Sequence, residues 1–242
     1  MHEEINLRNR SYKKELLDKD DIPFTDIRRN MQELNTINTW LGGHAITLAG
    51  FKKLLQNKKS IHVCEIGCGD GNNLFQLYKW CKKNKIEFNC TGIDIKPECI
   101  ETAKKDYVIE NAIWFSQDYK TVVFKTKPDI IFSSLFCHHF QDVQLIYQLQ
   151  WMQQNAALGF FINDLQRNWF AYHSIKIITK LFSSSYLVKN DAPLSVARGF
   201  HKNEWKQMFK EAGIKKFMID WKWAFRYLIV YFNDDKQALL QT

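Results

Sequence analysis

Three glycines at alternate positions, directly behind an apolar run that ends in an acid, constrain this chain more than any other feature. The stretch reads Val63-Cys64-Glu65-Ile66-Gly67-Cys68-Gly69-Asp70-Gly71-Asn72-Asn73-Leu74. Glycine turns the backbone at positive φ and lets a ligand lie against bare main chain, and the junction of a strand with a helix start exposes free N–H groups. A second acid, Asp94, closes the next apolar run, Cys90-Thr91-Gly92-Ile93-Asp94-Ile95. In dinucleotide folds an acid about 20 residues beyond the glycines binds ribose hydroxyls. Here the glycines run G-x-G-x-G, not G-x-G-x-x-G, and an acid precedes them by two positions.

Apolar runs near 61–66, 88–94, 111–116, 129–134 and 157–163 alternate with helical patterns near 72–84, 97–106 and 141–153. That rhythm predicts a parallel sheet with helices on both faces, because parallel neighbours need crossover connections. A last helix carries Trp205, Met208, Phe209 and Ala212 on one face and stops at Gly213. Two further runs, 216–221 and 226–232, are close enough in sequence to pair antiparallel. Residues 1–57 read as an N-terminal helical extension, broken at Gly42-Gly43, ahead of a main domain over 58–242. About 40 residues separate the fifth strand from the last helix, more than a simple connection needs. This insertion, at 166–200, contains a run from Asn168 to Phe182 that is apolar around most of its circumference. A helix of that kind is expected to be covered on two sides, as the lid and wall of a pocket beyond the carboxyl ends of the strands.

The six cysteines are scattered, as suits free thiols in a reducing compartment. With no signal-peptide pattern and no run of 18 apolar residues, a cytoplasmic protein is expected. Cys64 and Cys68 lack a matching second Cys or His pair, so no metal is expected. The net charge of +8 lies mostly in scattered lysine pairs, which read as solvated helix ends. Nucleic acid is disfavoured for want of an arginine-rich run, while peripheral membrane contact and an oligomer stay open.

The glycine turn with its upstream acid, together with Ile93-Asp94-Ile95, resembles the first two motifs of the class I S-adenosylmethionine-dependent methyltransferases. The resemblance implies an α/β, Rossmann-like, seven-stranded sheet ending in an antiparallel hairpin, with the cofactor held at Glu65, Gly67, Cys68, Gly69, Gly71, Asp94, Ile95, Asp118 and Ser133. Asp118 can equally cap a turn. The exit of the fourth strand, Ser133-Ser134-Leu135-Phe136-Cys137-His138-His139-Phe140, lacks the Asn-Pro-Pro-aromatic turn of amide and adenine N-methyltransferases and the Pro-Cys of pyrimidine C5 enzymes. It also lacks the acid of magnesium-dependent catechol enzymes. It offers two imidazoles. A phenol, with a pKa near 10, needs a base to become a nucleophile, and histidine titrates in the useful range. His138 or His139 is expected to serve, one of them facing the substrate.

Asn163-Asp164-Leu165-Gln166-Arg167, Asn190–His201 and Ile37–His44 are similar to stretches of the bacterial small-molecule methyltransferases encoded beside type III polyketide synthases. That resemblance implies a phenolic or polyketide-derived acceptor, O- or C-methylated in secondary metabolism. Asn163, Arg167, Tyr172 and Arg198 would then line its site, Arg167 and Arg198 holding a phenolate or carboxylate. An RNA or protein methyltransferase, and a non-catalytic module on the same fold, are the alternatives.

Overall fold

The structure is a computed structural model, and it describes residues 6–19 and 21–233. One seven-stranded sheet has the order β3-β2-β1-β4-β5-β7-β6. Strands β1 (Ser60–Ile66), β2 (Glu87–Asp94), β3 (Ala112–Ser116), β4 (Ile130–Ser134) and β5 (Gly159–Leu165) run parallel. β7 (Arg226–Phe232) pairs antiparallel with both β5 and β6 (Phe217–Lys222). The expected sheet and its terminal hairpin are both present. Helices α1 (Phe24–Trp40) and α2 (Gly43–Leu55) precede β1, while α3 (Asn72–Lys83), α4 (Pro97–Asp106) and α5 (Asp142–Asn155) make the crossovers. Helices α6 (Trp169–Phe182), α7 (Tyr186–Arg198) and α8 (Lys202–Glu211) fill the stretch between β5 and β6.

Strand periodicity divides the core between the two faces of the sheet. Phe160 and Ile162 of β5 point into a cluster with Leu149, Trp205 and Phe209, on the side of α5 and α8. Phe161, between them, joins Phe51, Leu54, Leu74 and Phe132 on the side of α2 and α3. The close approach of α2 requires Gly50, where a Cβ would stand 2.6 Å from the Phe161 ring. Gly42 provides the break between α1 and α2 at φ +74°.

Two expectations meet differences. Residues 6–19, 21 and 22 are not helical apart from one 3-10 turn, Leu16–Asp18. They form a strap whose backbone groups are satisfied by other elements: Ser11 N–H donates to Ala197 O, and Leu16 and Leu17 N–H donate to the Asp191 carboxylate. Helix α6 is covered on one side only. Ala171, Tyr172 and Thr179 are buried toward α7, while Trp169, Phe170, Ile177 and Leu181 stay exposed. The strap, α1 and α7 together roof the carboxyl ends of β1, β4 and β5.

Candidate active site

The glycine turn closes through its own main chain. Cys68 N–H donates to Ile93 O, Gly71 N–H to Cys68 O, and Gly69 N–H to the Asp94 carboxylate, which also accepts from Lys96 N–H. Gly67, Gly69 and Gly71 have φ of +67°, +52° and +77°. A Cβ on Gly67 would meet the Phe136 ring at 2.1 Å and one on Gly71 the Trp114 ring at 2.6 Å, whereas one on Gly69 would project into open space. That space is a cavity of about 150 Å³, lined by Glu65, Gly67, Cys68, Gly69, Asp70, Asn73, Ser134 and Leu135, with Met31, Leu34, Asn35 and Asn38 of α1 across it.

The cavity is acidic. Glu65 is fully buried, and Asn73 Nδ2 donates to its Oε1 at 2.8 Å while Oε2 has no hydrogen-bond partner among the described residues. Burial drives its pKa well above the usual glutamate value, and the charges of Asp70 and Asp94 add to the shift. Burial raises Asp70 and Asp94 as well. The opposite charge stands outside this lining, beside Asn38. Arg226 is buried at the start of β7 with Nε and Nη1 unpartnered among the described residues, and burial lowers its pKa to about 10. The Arg226 guanidinium and the cavity-lining Asn38 both crowd Gly43, where a Cβ would lie 2.6 Å from Nη1. An unpaired carboxylate oxygen and unpaired guanidinium donors are each costly to bury. A ligand with a cationic and an anionic end would satisfy both.

The histidine pair lies on the turn Cys137–His139, just past the cavity-lining Ser134 and Leu135. His138 is buried, and its Nδ1 lies 2.8 Å from Asp164 Oδ1. Asp164 Oδ2 accepts from the backbone N–H of Cys137 and His138, which fixes the turn. His139 Nδ1 lies 3.1 Å from Asp18 of the strap. Burial works against a proton on His139, but Asp18 and Glu15 outweigh it and raise the pKa. Although adjacent in sequence, the two rings turn the same way. Their centroids are 4.4 Å apart, and both Nε2 edges approach the buried carboxylate of Glu15, at 3.7 and 3.9 Å. Leu135 at φ +53° and the tight turn after it set both imidazoles on one side.

The remaining candidates fall in several places. Ser133 faces the core, its hydroxyl 3.4 Å from Cys137 Sγ, and strand alternation gives the cavity Ser134 instead. Ile95 is 70% exposed just past Asp94, an apolar shelf beside the turn. Asp118 caps a short turn, accepting from Lys120 N–H. Asn163 donates to Gly43 O, Thr47 and Ser134 under the α1–α2 junction. Arg167 pairs with Glu204 at 2.6 Å and donates to Leu7 O and Gly199 O. Arg198 donates to His138 O, His139 O and Lys13 O. Tyr172 packs with Ala171, Val196 and Ala197. Both arginines thus hold the strap and the histidine turn in place, with their donors spent on protein groups. Glu15, Asp18 and Arg226 were not singled out from the sequence. Glu15 and Asp18 lie in a segment without periodicity, and Arg226 lies at the edge of an apolar strand run.

Solved structures share this architecture at low identity. The chain is similar to a candidate O-methyltransferase of Nostoc punctiforme PCC 73102 (TM-score 0.56, 15% identity, over 80% of this chain and 57% of that one). It therefore spans little more than half of that protein's length. It is also similar to the plantazolicin methyltransferase BpumL in complex with a monoazolic desmethylPZN analog and SAH (0.60, 20%, over 84% and 77%). A third is the magnesium protoporphyrin IX methyltransferase ChlM of Synechocystis PCC 6803 with bound SAH (0.50, 14%, over 89% and 90%). At such identities the likeness is one of fold. No curated protein matches the chain in sequence. Residues 57–213, from the foot of β1 to the end of α8, match the model of the methyltransferase domain, and the chain belongs to that family.

Proposed function

We propose that this protein is an S-adenosylmethionine-dependent methyltransferase that methylates the oxygen of a small phenolic or polyketide-derived acceptor. The observation that carries the reading is the acidic cavity at the glycine turn, with an unpaired Glu65 oxygen in its lining and the unpaired Arg226 donors beyond it, beside the lining residue Asn38. S-adenosylmethionine has a cationic sulfonium, an ammonium and a carboxylate, so its charges complement that lining. Glu65 and Asn73 would hold the ammonium end, and Arg226 with Asn38 the carboxylate end. Gly67, Cys68, Gly69 and Gly71 would carry the backbone contact, and Asp94 would grip the ribose with the adenine over Ile95 toward Asp118. Bound there, the cofactor supplies a methyl group on positively charged sulfur, so alignment of the acceptor provides much of the rate.

The acceptor oxygen must lose a proton, and a histidine of the His138–His139 pair is the base in this reading. Asp164 holds the His138 ring and Asp18 the His139 ring by Nδ1, which leaves each Nε2, on the side of Glu15, as the nitrogen that would take the proton. The roof of strap, α1 and α7 would exclude water from the acceptor, and residues 166–200 form its lid. The six cysteines are free and buried, in keeping with a cytoplasmic enzyme, and no helix among the described residues is long and apolar enough to cross a membrane.

Calorimetry with S-adenosylmethionine and S-adenosylhomocysteine, beside an assay on resorcinols and related phenols, tests the reading. The His138→Gln/His139→Gln double variant is expected to lose about 10²–10⁴-fold in turnover, the range of a general base, with cofactor affinity unchanged. Unchanged turnover removes the base. Gly69→Val is expected to fold, since its side chain meets open space, yet to bind cofactor at least about tenfold more weakly, because a β-branched residue at positive φ is strained and fills the cavity. Equal affinity would mean that no ligand lies against this turn.

A further inference from the structure

The corner where the strap meets the histidine turn brings a third group, Glu15, up to the two imidazoles proposed as the base. Glu15 Oε1 is 3.7 Å from His138 Nε2, and Glu15 Oε2 is 3.9 Å from His139 Nε2. These separations are too long for hydrogen bonds. One ligand atom from each of the three residues lies within 4.8 Å of the others. Glu15 and His138 are buried. A tetrahedral ion with bonds of 2.0–2.2 Å keeps its ligand atoms about 3.4 Å apart, so the three surround a gap of nearly the right size.

The outer partners have the arrangement that metal-binding histidines use. Each Nδ1 is engaged by a carboxylate, Asp164 for His138 and Asp18 for His139. An imidazole that donates its Nδ1 proton to a carboxylate turns the Nε2 lone pair toward the ion and gains basicity. Glu15 accepts from the Ser195 hydroxyl at 2.7 Å and, in a capping box, from the Asp18 N–H, and it also faces the two rings. Arg198, the nearby cation, is committed to three carbonyls and to Asp18, so it does not neutralise Glu15. The geometry points to a binding site for one divalent transition-metal ion, of the zinc or cobalt class, at Glu15, His138 and His139. Two nitrogens and one carboxylate suit such an ion better than magnesium, which prefers oxygen. Three protein ligands leave a fourth position open.

The site follows from these side chains and not from the cofactor assignment. Its occupation has two consequences. An ion there ties residue 15 to the exit of β4, so it adds apparent stability by mass action. It also consumes the Nε2 lone pairs, so a loaded pair cannot take a proton, and turnover is expected to fall on loading.

The test uses the full chain after chelation and dialysis. Zinc chloride is titrated by calorimetry, and cobalt(II) is followed by its visible absorption. One equivalent is expected to bind, the melting temperature to rise with zinc, and the affinity to drop at least tenfold in Glu15→Gln and in His139→Gln. Affinity for S-adenosylhomocysteine, measured in the same variants, reports separately on the cofactor reading. A folded wild-type chain that takes up neither ion overturns the inference, as does uptake that is equal in the wild type and the Glu15→Gln/His139→Gln double variant. Turnover that rises with zinc keeps the site and removes the free imidazole base.

Discussion

Replacing Asp164 by alanine is expected to destabilise the protein by about 3–5 kcal/mol, the cost of stripping the partner from buried charged and polar groups. Asp164 is fully buried at the end of β5. Its carboxylate accepts from Cys137 N–H at 2.7 Å and His138 N–H at 3.3 Å, and Oδ1 meets His138 Nδ1 at 2.8 Å. Burial alone would raise its pKa, but the charge and hydrogen bond of the His138 imidazole and the Leu165 N–H bring it below the usual aspartate value. Alanine strips the carboxylate from all four donors, the Leu165 N–H at 2.7 Å included, in a place water does not reach. For a chain of this size the melting temperature should fall by about 6–20 °C. Asp164→Asn keeps an acceptor for part of the set and should lose about half as much. Denaturant melts followed by circular dichroism decide the matter. A loss below about 1 kcal/mol in both variants would mean that the histidine turn is held by Arg10 and Arg198 instead, whose guanidinium groups donate to His138 O and to His139 O or Phe140 O.

The sheet was legible because its signals are local. Each β-strand pattern is a short apolar run, each crossover helix has its own period, and the glycine turn states its backbone conformation outright: all three glycines stand at positive φ. The chemistry beside it was less so, for reasons of distance and parity. Glu15 and His138 are 123 residues apart in sequence, and no periodicity marks residues 6–19, which gain their structure from partners on α7 and the histidine turn. Ser133 and Ser134 differ only in which face of β4 each takes, and the sequence pattern Ile130-Ile131-Phe132-Ser133-Ser134, buried at every position, carries no alternation from which to read it. Arg167 and Arg198 were chosen for their charge at the ends of the insertion. Their long side chains reach backbone carbonyls of the strap instead of an open pocket, a distinction that only the tertiary fold makes. For α6 the hydrophobic pattern was right and its consequence was not, since Trp169, Phe170 and Leu181 remain 66%, 62% and 69% exposed.

Glu65→Gln should have opposite effects on the free protein and on its complex. In the free protein the carboxylate is buried beside Asp70 and Asp94 with one oxygen unpaired, and its pKa is raised well above the ordinary 4.5. A raised folded-state value means that the folded chain holds this proton more tightly than the unfolded one. The associated stability is therefore complete below pH 4.5 and is lost as pH rises through the folded value. Glutamine keeps the shape and the partner Asn73 without the charge, so the free variant should match the wild type in mild acid and exceed it in stability at higher pH. In the complex the sign reverses. A charged hydrogen bond to the ammonium end of S-adenosylmethionine contributes about 1.5–3 kcal/mol, so the variant should bind about 10–150-fold more weakly. Wild-type binding should also release protons as the ammonium brings Glu65 back to its charged form. Calorimetry in buffers of different ionisation enthalpy measures that release, which the variant should lack. A variant less stable than the wild type at every pH, with unaltered affinity, would place Glu65 among the core residues and leave the acidic cavity without its ligand.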